Sequence, residues 1–153
     1  MSKPTINLRS GHVLRFEDSK WLSVYKDRAT ATVTCRPHMF WILLQYSAAE
    51  LSSMVEQACL KASIPTEQRR PLPLEHIIRG GLTSNSGEWQ ILALARAAEF
   101  DNKSVLETEI SQLVTAGKTQ AIRHSALRLR ASLRREAARL ESPSFAEVDG
   151  LRS

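Results

Sequence analysis

Apolar residues in this chain change their spacing at Pro37, and this change constrains the fold more than any other feature. Before Pro37 they mostly alternate with polar residues over short segments, as strands with one buried face require. After Pro37 they recur every three or four residues, which is the spacing of amphipathic helices. The sequence therefore predicts an α+β protein, with a small antiparallel β-meander at the N-terminus and a mainly helical C-terminal half.

Four short strands are predicted before Pro37, at residues 6–8, 12–16, 21–25 and 29–35. Polar turn residues separate them, at 10–11, 17–19 and 26–27. In the fourth strand Thr30, Thr32 and Thr34 would share one face, and the opposite face would point to the core.

Pro37 suits the first turn of a helix, and helical spacing continues to residue 62. The stretch 47–50 leaves two possibilities open, one long helix or two helices at 37–47 and 49–62. Three prolines predict a loop over 64–73. A short apolar segment, 74–79, is expected to stop at Gly80-Gly81.

Three more helices are predicted, at residues 88–100, 103–116 and 119–140. Asp101 is the expected N-cap of the second, and Gly117 the residue that closes it. The expected organisation is a β-meander and helix domain over 1–82, a helical region over 83–141 and a flexible tail over 142–153.

Basic residues are concentrated in the last predicted helix. Residues 118–139 carry seven Lys or Arg and one acid, Glu136, for a local charge of +6. The other residues comprise 14 basic and 15 acidic side chains, although the whole chain has a formal charge of +5. The charge is therefore a property of one helix rather than of the whole surface.

This basic helix is also amphipathic. Its apolar residues form one narrow stripe, called the seam: Ile122, Ala126, Leu129, Leu133, Ala137 and Leu140. Arginines flank the seam: Arg123, Arg130 and Arg134 on one side, and Arg128, Arg135 and Arg139 on the other. Because guanidinium groups bind phosphate oxygens well, all six are candidate nucleic-acid-binding residues. The alternative is a solvated bundle helix, or a coiled coil with the seam against a second copy or a protein partner.

Part of the chain resembles the winged-helix DNA-binding effector domain of two-component response regulators. The matching residues are Val13-Leu14-Arg15-Phe16, Leu22, Val33-Thr34, Pro37, Phe40, Leu43-Leu44 and, further on, His76-Ile77-Ile78-Arg79. The resemblance implies that His76 and Arg79 lie on a recognition helix in the major groove. Gly80-Gly81 and the absence of a C-terminal wing signature depart from that pattern, and the alternative is that both residues cap a short surface helix.

A second template is the ribbon-helix-helix DNA-binding unit, in which a strand precedes two helices. The strand at 30–35 and the two possible helices after it have this order, and Thr30, Thr32 and Thr34 would then read bases. A weak internal repeat, Trp41-x-x-Leu44 and Trp89-x-x-Leu92, would duplicate the helical pair.

Motifs of enzymes and of cofactor binding are absent, so the sequence predicts a non-enzymatic protein without a cofactor. Cys35 and His38 have ligand-like spacing but no second pair, so no metal site is expected, and both cysteines are expected to be buried thiols. No apolar run approaches the length of a membrane span, and the seam lacks Trp and Phe, so no membrane partner is expected. The N-terminal residues lack a secretory signal, which favours a cytoplasmic protein.

The sequence patterns are compatible with two functions. The first is a DNA-binding protein, with DNA expected rather than RNA, that acts as a transcriptional or mobile-element regulator and uses its Arg-rich helix for phosphate contacts. The second is a helical interaction subunit or adaptor, whose last helix docks a protein partner or forms a homodimer.

Overall fold

The predicted α+β architecture is confirmed by the structure, a computed structural model that describes residues 2–26, 28–32 and 37–142, with the backbone alone for 28–32 and 37–39. The strands are β1 (Thr5–Asn7), β2 (Val13–Glu17), β3 (Lys20–Tyr25) and β4 (Arg28–Thr32). A 3₁₀ helix, Pro37–Gln45, leads into the helical half. The α-helices are α1 (Ala48–Lys61), α2 (Leu74–Leu82), α3 (Gly87–Glu99), α4 (Glu107–Ala116) and α5 (Gln120–Glu141). Shorter 3₁₀ turns occupy Thr66–Gln68 and Lys103–Leu106.

The four strands form one antiparallel sheet in the order β1-β2-β3-β4, as a meander requires. Phe16 lies opposite Trp21 in the register, and both side chains are buried on the face that meets the helices. Asp18 and Ser19 both have positive φ, of 50° and 60°, which is the backbone of a tight two-residue hairpin turn. The predicted fourth strand extended to residue 35, and residues 33–36, including Cys35, lie outside the described part of the chain.

The helical stretch after Pro37 is broken at Ser47, so the two-helix possibility is confirmed. The Ser47 hydroxyl accepts a hydrogen bond from the Glu50 backbone N–H at 3.1 Å, and the Glu50 carboxylate accepts one from the Ser47 backbone N–H at 2.7 Å. These reciprocal bonds form a capping box that starts α1. The bond from the Ser47 backbone is the largest cause that lowers the pKa of Glu50.

The predicted stop at Gly80-Gly81 is wrong, because α2 continues through both glycines to Leu82. A Cβ on Gly81 would lie 2.7 Å from Leu44 Cδ1 and 2.8 Å from Ala93 Cβ. The glycine therefore lets α2 approach the 3₁₀ helix and α3 more closely than any other residue would allow. Packing of three elements at this point outweighs the low helix propensity of glycine.

Of the two residues predicted to bound the next helix, Asp101 is wrong and Gly117 is confirmed. Asp101 does not cap it, since a 3₁₀ turn precedes α4 and Leu106 occupies the N-cap without a side-chain hydrogen bond. Gly117 does follow α4, but its φ of −56° is not left-handed. A Cβ there would lie 2.8 Å from Ile122 Cγ2 and 2.7 Å from the Leu113 carbonyl oxygen, so close packing at the turn into α5 explains the glycine.

The buried residues form one continuous cluster that contains residues of both predicted segments, 1–82 and 83–141. Phe40 of the 3₁₀ helix is fully buried between the sheet and the helices, and Ile110 and Ile122 extend the same cluster to α4 and α5. The last helix is thus positioned by the core of the whole described chain.

Replacing Gly81 with Ala should destabilise the protein by about 1 to 3 kcal/mol, because the new methyl group overpacks a buried site against Ala93, which cannot move aside. Urea denaturation monitored by circular dichroism measures the change. Gly87→Ala is the matched control, since a Cβ there meets its nearest neighbour at an ordinary 3.4 Å. Equal stability of the two variants would contradict the close packing at Gly81.

Candidate nucleic-acid interface

The N-terminal end of α5 is held firmly to the body of the protein. Thr119 caps the helix by accepting a hydrogen bond from the Ile122 backbone N–H at 3.2 Å. The buried Gln90 of α3 donates to the Ser84 carbonyl at 2.8 Å and accepts from the Lys118 backbone N–H at 3.0 Å. Because this amide bonds to both segments, it fixes the start of α5 relative to α3.

The seam on α5 is buried only over the first part of the helix. Ile122, Ala126 and Leu133 are buried against the body, and Leu129 is half-buried. Every described residue from 134 to 142 is exposed, and Leu140 is 88% exposed. The seam therefore docks α5 on α3 and α4, and beyond Leu133 the helix projects as an exposed end that keeps ion pairs with the body through Arg134 and Glu136.

The arginines on the two sides of the seam have different surroundings. Arg123 donates to the Gly117 carbonyl at 2.8 Å, and Arg134 lies 4.0 Å from the Glu107 carboxylate on α4. Arg130 is half-buried on the same side. This side of α5 therefore contributes to the packing of α5 beside α4.

On the other side, Arg128, Arg135 and Arg139 are exposed, and we call these three residues the basic flank. The only polar contact of the basic flank within the described ranges is from Arg128 to the Ser125 hydroxyl at 3.3 Å. Glu136, the one acid within residues 118–139, lies 3.6 Å from Lys103 instead, and Glu141 ends α5 beyond Arg139. The basic flank thus has no acidic neighbour within ion-pair distance in the described part of the chain.

Arg79 does not lie on the basic flank but in an ion-pair network between α2 and α4. Its Nε donates to Glu109 at 2.7 Å, Nη1 lies 3.0 Å from Glu75, and Nη2 donates to the Val105 carbonyl at 3.1 Å. The bond to Glu109 is the largest cause that raises the pKa of Arg79 above its ordinary value. The local geometry gives Arg79 a role in joining two helices.

The residues that carry the winged-helix resemblance contribute mainly to the core. Leu14, Phe16, Phe40, Leu43, Leu44, Ile77 and Ile78 are all buried. The helix that would be the recognition helix, α2, packs against the 3₁₀ helix and α3, and its His76 is exposed. Val33-Thr34 lies outside the described residues, so the winged-helix assignment stays a prediction.

The weak internal repeat is the second sign of a ribbon-helix-helix unit, and its two tryptophans contact each other in the structure. Ring centroids of Trp41 and Trp89 are 5.9 Å apart, and both side chains pack against the core. The side chains of Thr30 and Thr32 are not described, and Thr34 lies outside the described residues. This template also stays a prediction.

One surface feature had no signal in the sequence. The exposed face of α3, formed by Ile91, Ala95 and Ala98, lies beside Leu129 and Arg128 of α5 and forms an apolar groove of about 390 Å³. In the sequence these residues look like ordinary members of an alanine-rich helix. Only the crossing of α3 and α5, which are more than 20 residues apart in the chain, brings them together.

Comparisons of this chain with protein-family models, curated proteins and solved structures give no match. In the described part of the chain, no helix has the length and apolar character that crossing a membrane requires. Residues 2–26, 28–32 and 37–142 contain no cluster of three or more His, Cys, Asp or Glu side chains placed to hold a metal ion.

Replacing Glu109 with Gln should cost about 1 to 2 kcal/mol of stability, because the side chain is only 16% exposed and its charge holds Arg79. Glu75→Gln, at the more exposed carboxylate of the same arginine, should cost less than about 0.5 kcal/mol. Thermal denaturation of both variants tests this difference. A larger loss from Glu75→Gln would mean that α2 and α4 are not joined through Glu109.

Replacing Leu133 with Ala should destabilise the protein by about 2 to 4 kcal/mol, because a buried side chain of the seam is lost. The same change at the exposed Leu140 should cost less than about 0.5 kcal/mol. Chemical denaturation at several protein concentrations provides the comparison. A clear loss of stability in Leu140→Ala that depends on concentration would instead indicate that the projecting end of α5 is covered by a second copy.

Proposed function

We propose that this chain is a non-enzymatic DNA-binding protein, acting as a transcriptional or mobile-element regulator, in which α5 contacts the phosphate backbone. The observation that carries the proposal is the basic flank, whose three exposed arginines have no acid within ion-pair distance among the described residues. An ordinary solvated helix places acids one turn away from its bases. Here Glu107 and Glu136 lie near Arg134 and Lys103, and neither they nor Glu141 comes within ion-pair distance of the basic flank among the described residues.

The spacing of the basic flank suits a polyanion. Arg128, Arg135 and Arg139 lie within an arc of about 40° around the helix and extend over about 16 Å of its axis. A duplex carries roughly ten phosphate charges over that length. Each arginine can therefore approach a different phosphate, and its guanidinium fork can donate two hydrogen bonds to one phosphate group.

The projecting end of α5 favours DNA over duplex RNA. The major groove of B-DNA is wide enough to admit an α-helix, whereas the major groove of A-form RNA is deep and narrow. A helix that remained flat on the body would touch one strand only. The last two turns of α5 are exposed, with Arg134 and Glu136 still near the body, and their outer surface is accessible to a groove.

Phosphate contacts position a protein on DNA but carry no sequence information, so a regulator needs a second element that reads bases. The winged-helix resemblance offers α2 for that role through His76, which is exposed on the helix. Arg79 is left out of the proposed contact surface, since its donors are bound to Glu109, Glu75 and the Val105 carbonyl.

Replacing Arg128, Arg135 and Arg139 together with Gln should make the binding of a labelled duplex less salt-dependent. The slope of log K against log salt should become shallower by about 2.7, because each lost phosphate contact removes about 0.9. Fluorescence anisotropy between about 50 and 200 mM salt gives the slope for the wild type and the variant.

Arg134→Gln is the matched control on the same helix, because Glu107 lies near this arginine and a smaller change of slope is expected. The wild type should also bind duplex DNA more tightly than duplex RNA. If the wild type binds neither duplex at low salt, or if Arg134→Gln changes the slope as much as the triple variant does, the proposed DNA contact is wrong.

A further inference from the structure

The groove between α3 and α5 is an apolar surface that the phosphate contact does not use. Its floor is Leu94, which is buried, and Leu129, which is half-buried. Its α3 side is Ile91, Ala95 and Ala98, which are exposed, and Ile91 is 44% exposed. Isolated apolar residues on a surface are common, but these lie together in one concave strip beside a charged edge.

The small side chains of the groove allow another backbone to come close. Ala95 and Ala98 on one wall and Ser125 on the other present little bulk. Two helices pack with their axes about 8 to 10 Å apart when such residues are at the contact. Since α3 is about 20 Å long, the groove accommodates three to four turns of a third helix, roughly 13 residues.

Charge around the groove is asymmetric. Arg128 lines the α5 side, and Arg135 and Arg139 continue that edge toward the projecting end of α5. At the start of α3 the exposed Glu88 stands one turn before Ile91, and at the far end Glu136 is paired with Lys103. A bound helix therefore meets positive charge mainly along the edge formed by α5, because Lys103, near Ala98 at the far end, is paired with Glu136.

We propose that this groove binds an amphipathic α-helix of a partner protein, with Leu or Ala on the buried face and Glu or Asp along the edge that faces α5. The apolar strip supplies the buried area and the basic flank supplies the charge complementarity that orients the helix. The proposal goes beyond DNA binding and does not require it. If both occur, the acidic helix and the duplex compete for Arg128.

A second copy of this chain is a poor candidate for the helix that binds in the groove. The helix end that projects from each copy is the end of α5, which carries Arg134, Arg135 and Arg139 beside Leu140, together with Glu141 and with Glu136, which is paired with Lys103. Placing it in the groove would bring these arginines against Arg128 of the other copy, and like charges at close range oppose association. An acidic helix would instead bring negative charge to Arg128 at the edge of the groove.

The test uses a synthetic capped peptide of about 16 residues, long enough to fill the groove, with Leu and Ala on one face and Glu along one edge. A second peptide has Lys at every Glu position. Binding to the full chain is measured by fluorescence anisotropy of the labelled peptides. The Glu peptide should bind with a dissociation constant in the micromolar range, and the Lys peptide should bind at least about tenfold more weakly.

Two matched pairs of variants locate the site. Ile91→Ser should weaken binding of the Glu peptide about fivefold, whereas Leu127→Ser, at an equally exposed apolar residue of α5 outside the groove lining, should not. Arg128→Gln should weaken it more than Arg134→Gln. Because these side chains are on the surface, the variants should keep the wild-type circular dichroism spectrum and melting temperature.

The same variants separate this proposal from DNA binding. Ile91→Ser keeps every arginine and should leave the salt slope for duplex DNA unchanged while it weakens the peptide. The proposal is overturned if the Lys peptide binds as tightly as the Glu peptide, or if Leu127→Ser weakens binding as much as Ile91→Ser. It is also overturned if sedimentation shows a dimer that Ile91→Ser dissociates, because the occupant is then a second copy.

Discussion

The close approach at Gly81 is the contact on which the rest of the fold depends. It is the point where α2, α3 and the 3₁₀ helix come together, with Leu44 and Ala93 in contact with the glycine backbone. The 3₁₀ helix in turn carries Phe40 to the sheet, so the sheet and the helical half share one core through this crossing. A bulkier residue would separate α2 from α3, and α3 is the helix on which α5 is seated through Gln90 and the seam.

The candidate interface depends on a difference between the two sides of α5: two of the arginines on one side have an acidic or carbonyl partner, and the basic flank on the other side has no acidic partner among the described residues. The spacing of the sequence correctly predicted an amphipathic helix with arginines on both sides of an apolar stripe. It did not predict which arginines are compensated, because Glu107 of α4 approaches Arg134 only after folding, as Glu109 approaches Arg79 of α2. It also did not predict that the seam is covered as far as Leu133 and uncovered beyond it. Those properties depend on where the body ends, which no local pattern encodes.

For the fold, the elements that local chemistry determines were predicted well. The meander follows from alternation and turn residues. The sequence analysis left the break at Ser47 open, and the capping box between Ser47 and Glu50 is what decides it. The error occurred at Gly80-Gly81, where glycine was interpreted as a terminator by its backbone preferences, whereas Gly117 does end α4. At Gly81 and Gly117 the decisive factor is a neighbouring side chain at less than 3 Å from the missing Cβ, which only the packed structure reveals.

The uncompensated charge of the basic flank makes the surface of α5 electrically one-sided. Residues outside 118–139 carry 14 basic and 15 acidic side chains, so a nearly neutral body carries one helix whose exposed arginines lie along a single side. If α5 binds a polyanion as proposed, the attraction would turn the basic flank toward it within roughly the 8 to 10 Å that physiological salt leaves unscreened. The short-range contacts of the proposed complex would then form in an orientation that electrostatic attraction has already favoured.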